Sequence, residues 1–208
     1  MIIKNLNNPI HTHMTQRITP HFLLSEFVPR GNVTLTGIQY FMLHNLCNNL
    51  EVIRDFLSKE FGRTISIKIN NGVRMPSDNN RLRNAGFNPS ETSDHLFGNM
   101  IKLRRPGNIK KFGLYYTYSV GAADIDPACG ALEAWEAIKP YFTRKTGIVT
   151  LPGQHIKIGQ MILEKRNSHW IHISNPPELI YSPEMVAAFL KRVHFLQSNN
   201  NGRSCETV

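Results

Sequence analysis

The chain has 208 residues, 41% of them hydrophobic, and a formal net charge of +9. That length suits one domain with a sizeable core, and the apolar content is ordinary for a globular protein. No apolar run reaches the roughly 18 residues that cross a bilayer, so no membrane span is expected. The start, Met1 to Asn7, lacks an apolar h-region, which predicts synthesis in the cytoplasm without a signal peptide.

Part of the basic excess sits in Lys102, Arg104, Arg105, Lys110 and Lys111. Such a cluster is either a solvated face or an attraction for a polyanion: nucleic acid, anionic cell-wall polymer or a membrane surface. Zinc-finger spacing is absent and the aromatics are not interleaved as in a single-strand reader, which disfavours nucleic acid. Cys47, Cys129 and Cys205 are far apart and odd in number, so no disulfide framework is implied. Cys47 reads as a small buried apolar residue; a Cys47–Cys129 bridge is the open alternative. A reducing compartment of synthesis is expected.

In chain order, residues 1–20 are polar and irregular and are expected to form an N-terminal extension, with His11 and His13 as exposed side chains. Phe22-Leu23-Leu24-Ser25-Glu26-Phe27 reads as a short apolar anchor. Thr36 caps a predicted helix with Ile38, Phe41, Met42, Leu46, Leu50, Ile53 and Leu57 along one face, ended by Gly62. Thr64 to Ile69 alternates as a half-buried strand does, and Asn70 to Pro76 is its turn-rich exit. Residues 77–92 read as a loop with a short helical turn at 79–84. Residues 99–118, basic and rich in tyrosine, read as a strand pair or flap.

Ala122 to Asp126 has the pattern of a buried strand carrying a carboxylate. Ala131–Phe142 reads as a helix with Leu132, Trp135, Ile138 and Phe142 on one side, and 146–153 as a loop. Ile156–Glu164 and His169–Ser174 read as two strands joined by Lys165 to Ser168, with Pro176-Pro177 stopping the second. A last helix is predicted from Pro183 to about Leu196, then a disordered tail over 198–208. The whole reads as a single domain over 21–197 with an insertion at about 99–120.

Two histidines and one carboxylate stand out from this pattern. His95 lies in Ser93-Asp94-His95-Leu96-Phe97-Gly98, where Ser93 and Asp94 can make local hydrogen bonds. Asp124 follows small residues in an apolar strand, a costly place for a carboxylate unless it is paired or metal-bound. His172 alternates with Trp170 and Ser174 on one strand face. Together these three supply a catalytic zinc shell, with a fourth position left for water. His44, His155 and His194 read as ordinary helix or loop histidines. Arg74, at a strand exit, is either an exposed surface residue or a bidentate clamp for a carboxylate.

The segments Ser93-x-His95-x-x-Gly98, Gly121-Ala122-Ala123-Asp124-Ile125 and Trp170-Ile171-His172-Ile173-Ser174 resemble the zinc D-Ala-D-Ala carboxypeptidase family. That family shares its core with L-alanyl-D-glutamate endopeptidases, dipeptidases of vancomycin resistance and the hedgehog signalling domain. Asn71-Gly72-Val73-Arg74-Met75-Pro76 resembles its Ser-Gly-Tyr-Arg-Ser-Pro segment. Phage-borne members look most similar, through Phe22 to Phe27 and Gln160-x-Ile162-x-Glu164. The resemblance covers about residues 20–175.

It implies an α+β fold, a small antiparallel sheet with helices packed on one face. It implies Zn2+ held by His95, Asp124 and His172, with Arg74 receiving the carboxylate of a peptidoglycan stem peptide and Ser93 supporting the site. The implied function is a metallopeptidase of the cell wall, virion-borne or acting in the periplasm. The alternative is a non-enzymatic virion or cell-wall protein that keeps a degenerate peptidase fold.

Two departures accompany the resemblance. The family's aspartate follows its first histidine at a short spacing that falls here on Lys102, so the motif is split by the basic insertion. That insertion is either a substrate flap or a docking surface for another virion protein. Relatives also carry a glutamate shortly before the last histidine, where this chain has His169. Glu164 is the preferred base, since a carboxylate accepts and returns a proton well, with His169 as the alternative. Hairpin register separates them. If Glu164 pairs with His169, Glu164 and His172 face apart; if it pairs with Trp170, they share a face.

Overall fold

The structure is a computed structural model that describes residues 9–10, 15–28, 34–87, 89, 93–97, 100–102, 116–143, 148–176, 194–199 and 204–207. It has an α+β fold. Its longest helix, Gly37–Glu60, starts at a capping box: Thr36 Oγ1 accepts from the Gln39 N–H, and Gln39 Oε1 accepts from the Thr36 N–H. It stops because Gly62 adopts φ +62° while the Arg63 N–H reaches back to the Ser58 carbonyl. Met42, Leu43, Leu46, Cys47, Leu50, Ile53 and Leu57 form its buried stripe. Phe41, expected in that stripe, lies on its flank and is exposed.

The main sheet orders its strands Ser204–Thr207, His194–Asn199, Gln160–Lys165, His169–Ser174, Ala122–Pro127 and Ile67–Asn71. All neighbours are antiparallel except Gln160–Lys165 with His194–Asn199. One face is apolar: Ala123, Ile125, Met161, Leu163, Ile171 and Ile173 are fully buried in one cluster with the long helix and with Trp135 of the helix Ala131–Ile138. In that shorter helix Ala131, Ala134, Trp135 and Ile138 face the core, and Leu132, expected there, is exposed. The other face carries Asp124, His172 and Glu164, because residues paired across antiparallel strands point the same way.

Several expectations are corrected. The loop expected over 146–153 holds the strand Ile148–Leu151, which forms a hairpin with Gln154–Lys157 around Pro152-Gly153. The single strand expected over 156–164 breaks at Gly159, where an added Cβ would lie 2.3 Å from the Asn175 carbonyl oxygen. The helical turn expected at 79–84 is a helix from Pro76 to Asn84. His194–Asn199 is a strand where the end of a helix was predicted, and Ser204–Thr207 is a strand where a disordered tail was predicted. The rest of that predicted helix lies outside the described residues. Met100–Lys102 and Tyr116–Tyr118 do pair, and the chain between them lies outside the described residues. Cys47 and Cys129 are free thiols; burial pushes the Cys47 thiol well above its usual range. Among the described residues no helix is long and apolar enough to cross a membrane.

Asn175 locks the helix to the sheet. It is fully buried, and its Nδ2 donates to the carbonyls of Met42 and Val120, both at 2.8 Å. Its Oδ1 accepts from Asn45 Nδ2 at 2.9 Å, and its backbone N–H donates to the Gly121 carbonyl at 2.9 Å. Asn175→Ala removes a buried side chain that bonds the Met42 and Val120 carbonyls and the Asn45 amide, and is expected to destabilise the fold by roughly 2–4 kcal/mol. Thermal unfolding should register a Tm drop of roughly 5–15 °C; an unchanged Tm would remove Asn175 from this role.

Candidate metal centre

Asp124 and His172 are directly opposed across the antiparallel pair Ala122–Pro127 and His169–Ser174. The third member arrives from outside the sheet. His95 sits in a 3-10 turn, Asp94–Leu96, which Phe97 closes at φ +37°. The turn is tied to the sheet by the Gly121 N–H, which donates to the Asp94 carbonyl at 3.1 Å. Gly121 adopts φ +89°, and a Cβ there would lie 2.7 Å from the Phe97 ring, so this close approach requires glycine.

The three side chains present one atom each to a common point. His95 Nε2 lies 3.1 Å from Asp124 Oδ1, His172 Nδ1 lies 3.0 Å from the same oxygen, and the two nitrogens are 3.2 Å apart. Ligands held about 2.0–2.1 Å from one ion at tetrahedral angles stand about 3.3 Å from each other, so the spacing fits a single shared ion. The protonation pattern fits as well. His95 Nδ1 lies 2.9 Å from the Gly72 carbonyl, which can only accept, so in the neutral imidazole Nδ1 carries the proton and Nε2 has a lone pair free for an ion. That lone pair faces a carboxylate oxygen and a second ring nitrogen. A cation at the common point satisfies all three contacts at once. Imidazole nitrogen with carboxylate suits a first-row divalent ion better than calcium or magnesium, which favour all-oxygen shells.

Electrostatics follow from this packing. Burial would raise the Asp124 carboxyl, but the charges and hydrogen bonds of His95 and His172 outweigh it and hold that carboxyl well below the usual range. Burial would lower His172, but its hydrogen bond to Asp124 and the surrounding carboxylates raise it. Glu164 is raised, chiefly by burial, and it stands in the field of His172, Asp124 and Arg74. Burial lowers Arg74, against the attraction of Asp124, Asp78 and Glu164. Its Nη1 lies 3.5 Å from Asn79 Oδ1, and its backbone N–H donates to the His95 carbonyl at 2.7 Å.

The hairpin register separates the two candidate bases. Glu164 pairs with Trp170, which puts Glu164 on the face of His172; His169 pairs with Lys165 and takes the opposite face, with Ile171. Ser93 starts the 3-10 turn, its carbonyl accepting from the Leu96 N–H at 3.1 Å. Gly98, in the same motif, lies outside the described residues.

Three contributors escaped the sequence reading. Asn71 donates to the second Asp124 oxygen at 3.2 Å, Gly72 orients His95, and Asp94 turns a half-buried carboxylate toward the Ser174 hydroxyl and the Val120 N–H. Asn71 and Gly72 carried only a turn signal. Asp94 carried only the capacity for local hydrogen bonds.

Chelator-stripped protein is expected to bind one divalent ion and to gain about 2.7 kcal/mol of stability at an ion concentration of 100 times Kd. His172→Ala should abolish that gain, and unchanged stabilisation would remove His172 from the centre. Because the His172 pKa is raised above its ordinary value, protons compete for its ring nitrogen. Affinity measured by titration should therefore fall as pH drops through that raised value. Comparison with known protein families, curated proteins and solved structures returned no match to this chain.

Proposed function

We propose that this protein is a zinc-dependent peptidase that hydrolyses a peptide bond in peptidoglycan stem peptides, with a hedgehog-like peptidase core. The observation that carries the reading is the convergence of His95 Nε2, Asp124 Oδ1 and His172 Nδ1 within 3.2 Å of one another, with Glu164 on the same sheet face. Three protein ligands are the number a catalytic zinc uses when its fourth position stays open to water.

His95, Asp124 and His172 would hold the ion. When bound, zinc supplies Lewis acidity, acidifying a water and polarising the scissile carbonyl. Glu164 accepts the proton from the attacking water and returns it to the leaving amine. Burial raises its pKa, which moves the carboxylate toward the stronger base this transfer needs. Arg74 pairs with the carboxylate of the stem peptide and sets the distance from that end to the cleaved bond. Its burial is incompletely offset by the neighbouring carboxylates, so an incoming anion relieves its desolvation. A peptidase of this kind acts at the cell wall, carried by a virion or in the periplasm.

Three measurements test these roles. Glu164→Gln is expected to lower kcat by roughly 10²–10⁴-fold while zinc stays bound. In the unsubstituted protein, activity should fall on the acid side at a pH above the ordinary glutamate range, because the base must be deprotonated and burial raises its pKa. Full turnover by Glu164→Gln would reject that assignment, and zinc binding with no hydrolysis of any stem peptide would favour the non-enzymatic alternative. Arg74→Ala should raise KM by roughly 10–100-fold for peptides with a free terminal carboxylate. It should leave amidated peptides little changed; equal losses on both would argue against a carboxylate clamp.

A further inference from the structure

Residues 71–74 grip the centre at three points. Asn71 Nδ2 donates to Asp124 Oδ2, the Gly72 carbonyl accepts from His95 Nδ1, and the Arg74 N–H donates to the His95 carbonyl. The segment is itself fixed from behind. The Val73 N–H donates to the Phe27 carbonyl at 2.8 Å, and a Cβ on Gly72 would lie 2.6 Å from that oxygen. Phe27 is fully buried and ends the short N-terminal helix Leu24–Phe27. The apolar anchor at the start of the chain therefore buttresses the residues that aim two ligands.

A β-bulge aims Asn71. Ile69 pairs with Ile125, but the next partner of Asp124 is Asn71, not Asn70. Regular antiparallel pairing would set Asn70 opposite Asp124 and turn Asn71 to the apolar face. The extra residue puts Asn71 on the face of Asp124. Only the amide NH2 can approach a carboxylate, so the contact is a donated hydrogen bond.

We propose that Asn71 is a positioning residue that makes Asp124 a one-oxygen ligand and so preserves the open position of the centre. With Oδ2 engaged by Asn71, Oδ1 is the oxygen left beside the two histidine nitrogens. A carboxylate with both oxygens free can chelate an ion and take up the position that substrate or water needs. The inference rests on reading the centre as a metal site.

The test uses Co2+ and Zn2+ as probes on the full chain, on Asn71→Ala and on Asn71→Leu. Chelator competition is expected to show both variants binding roughly 10–100-fold more weakly. The visible absorption of the Co2+ form should change from an intense four-coordinate spectrum to a weaker, higher-coordinate one. Thermal unfolding without metal checks that the variants fold; if neither does, the spectrum of the unsubstituted Co2+ protein decides. A five- or six-coordinate spectrum there, or variants with unchanged affinity and spectrum, overturns the role of Asn71. Failure of the unsubstituted protein to bind either ion overturns the metal reading itself.

Discussion

A carboxylate in the middle of a sheet, flanked by alanine and isoleucine, is tolerated only if its charge is met by partners. Asp124 has three: two imidazoles beside Oδ1, which meet the charge when protonated or through a shared cation, and the Asn71 amide on Oδ2. Removing any one leaves a largely buried charge short of compensation and is destabilising. The local architecture satisfies this constraint. The sheet supplies Asp124 and His172 by direct pairing, a bulge supplies Asn71, and a strained 3-10 turn pinned by Gly121 and Phe97 supplies His95.

The sheet separates stability from chemistry by its two faces. Its apolar face packs on the long helix and on Trp135. Its polar face carries the candidate ligands and Glu164. Because the side-chain period along a strand is two, register alone decides which of two neighbouring residues enters the site. The Glu164–Trp170 pairing brings Glu164 to the site face and turns His169 away. Asn175, buried where the His172 strand ends, ties that strand to the helix and to the loop before Asp124.

Two carboxyls on the same face are driven apart in proton affinity. Asp124 is held low by paired histidines, and Glu164 is raised by burial. Such a divergence separates a group that stays charged to hold a cation from one that holds a proton more readily than an ordinary glutamate. Arg74, close to both, adds a cation whose own charge is destabilised by burial. The result is a polar surface with one position suited to a cation and another suited to an anion.

Local pattern was enough for the elements whose stabilising contacts are short in sequence. Thr36 and Gly62 mark the long helix, and the isolated acid in an apolar strand marks Asp124 as needing a partner. His95 and His172 were legible from their motifs. The loop expected over 146–153 failed because Pro152-Gly153 is only the turn of a local hairpin, and the helix expected to end at Leu196 failed because pairing with the distant strand Gln160–Lys165 outweighs local propensity. Asn71, Gly72 and Asn175 could not be found from their neighbours, since each acts on residues tens of positions away. The sequence by itself determined which residue types were available for the centre. Only the tertiary structure decided, through strand register and one bulge, which atoms of those residues meet, because orientation across a sheet changes with a shift of a single residue.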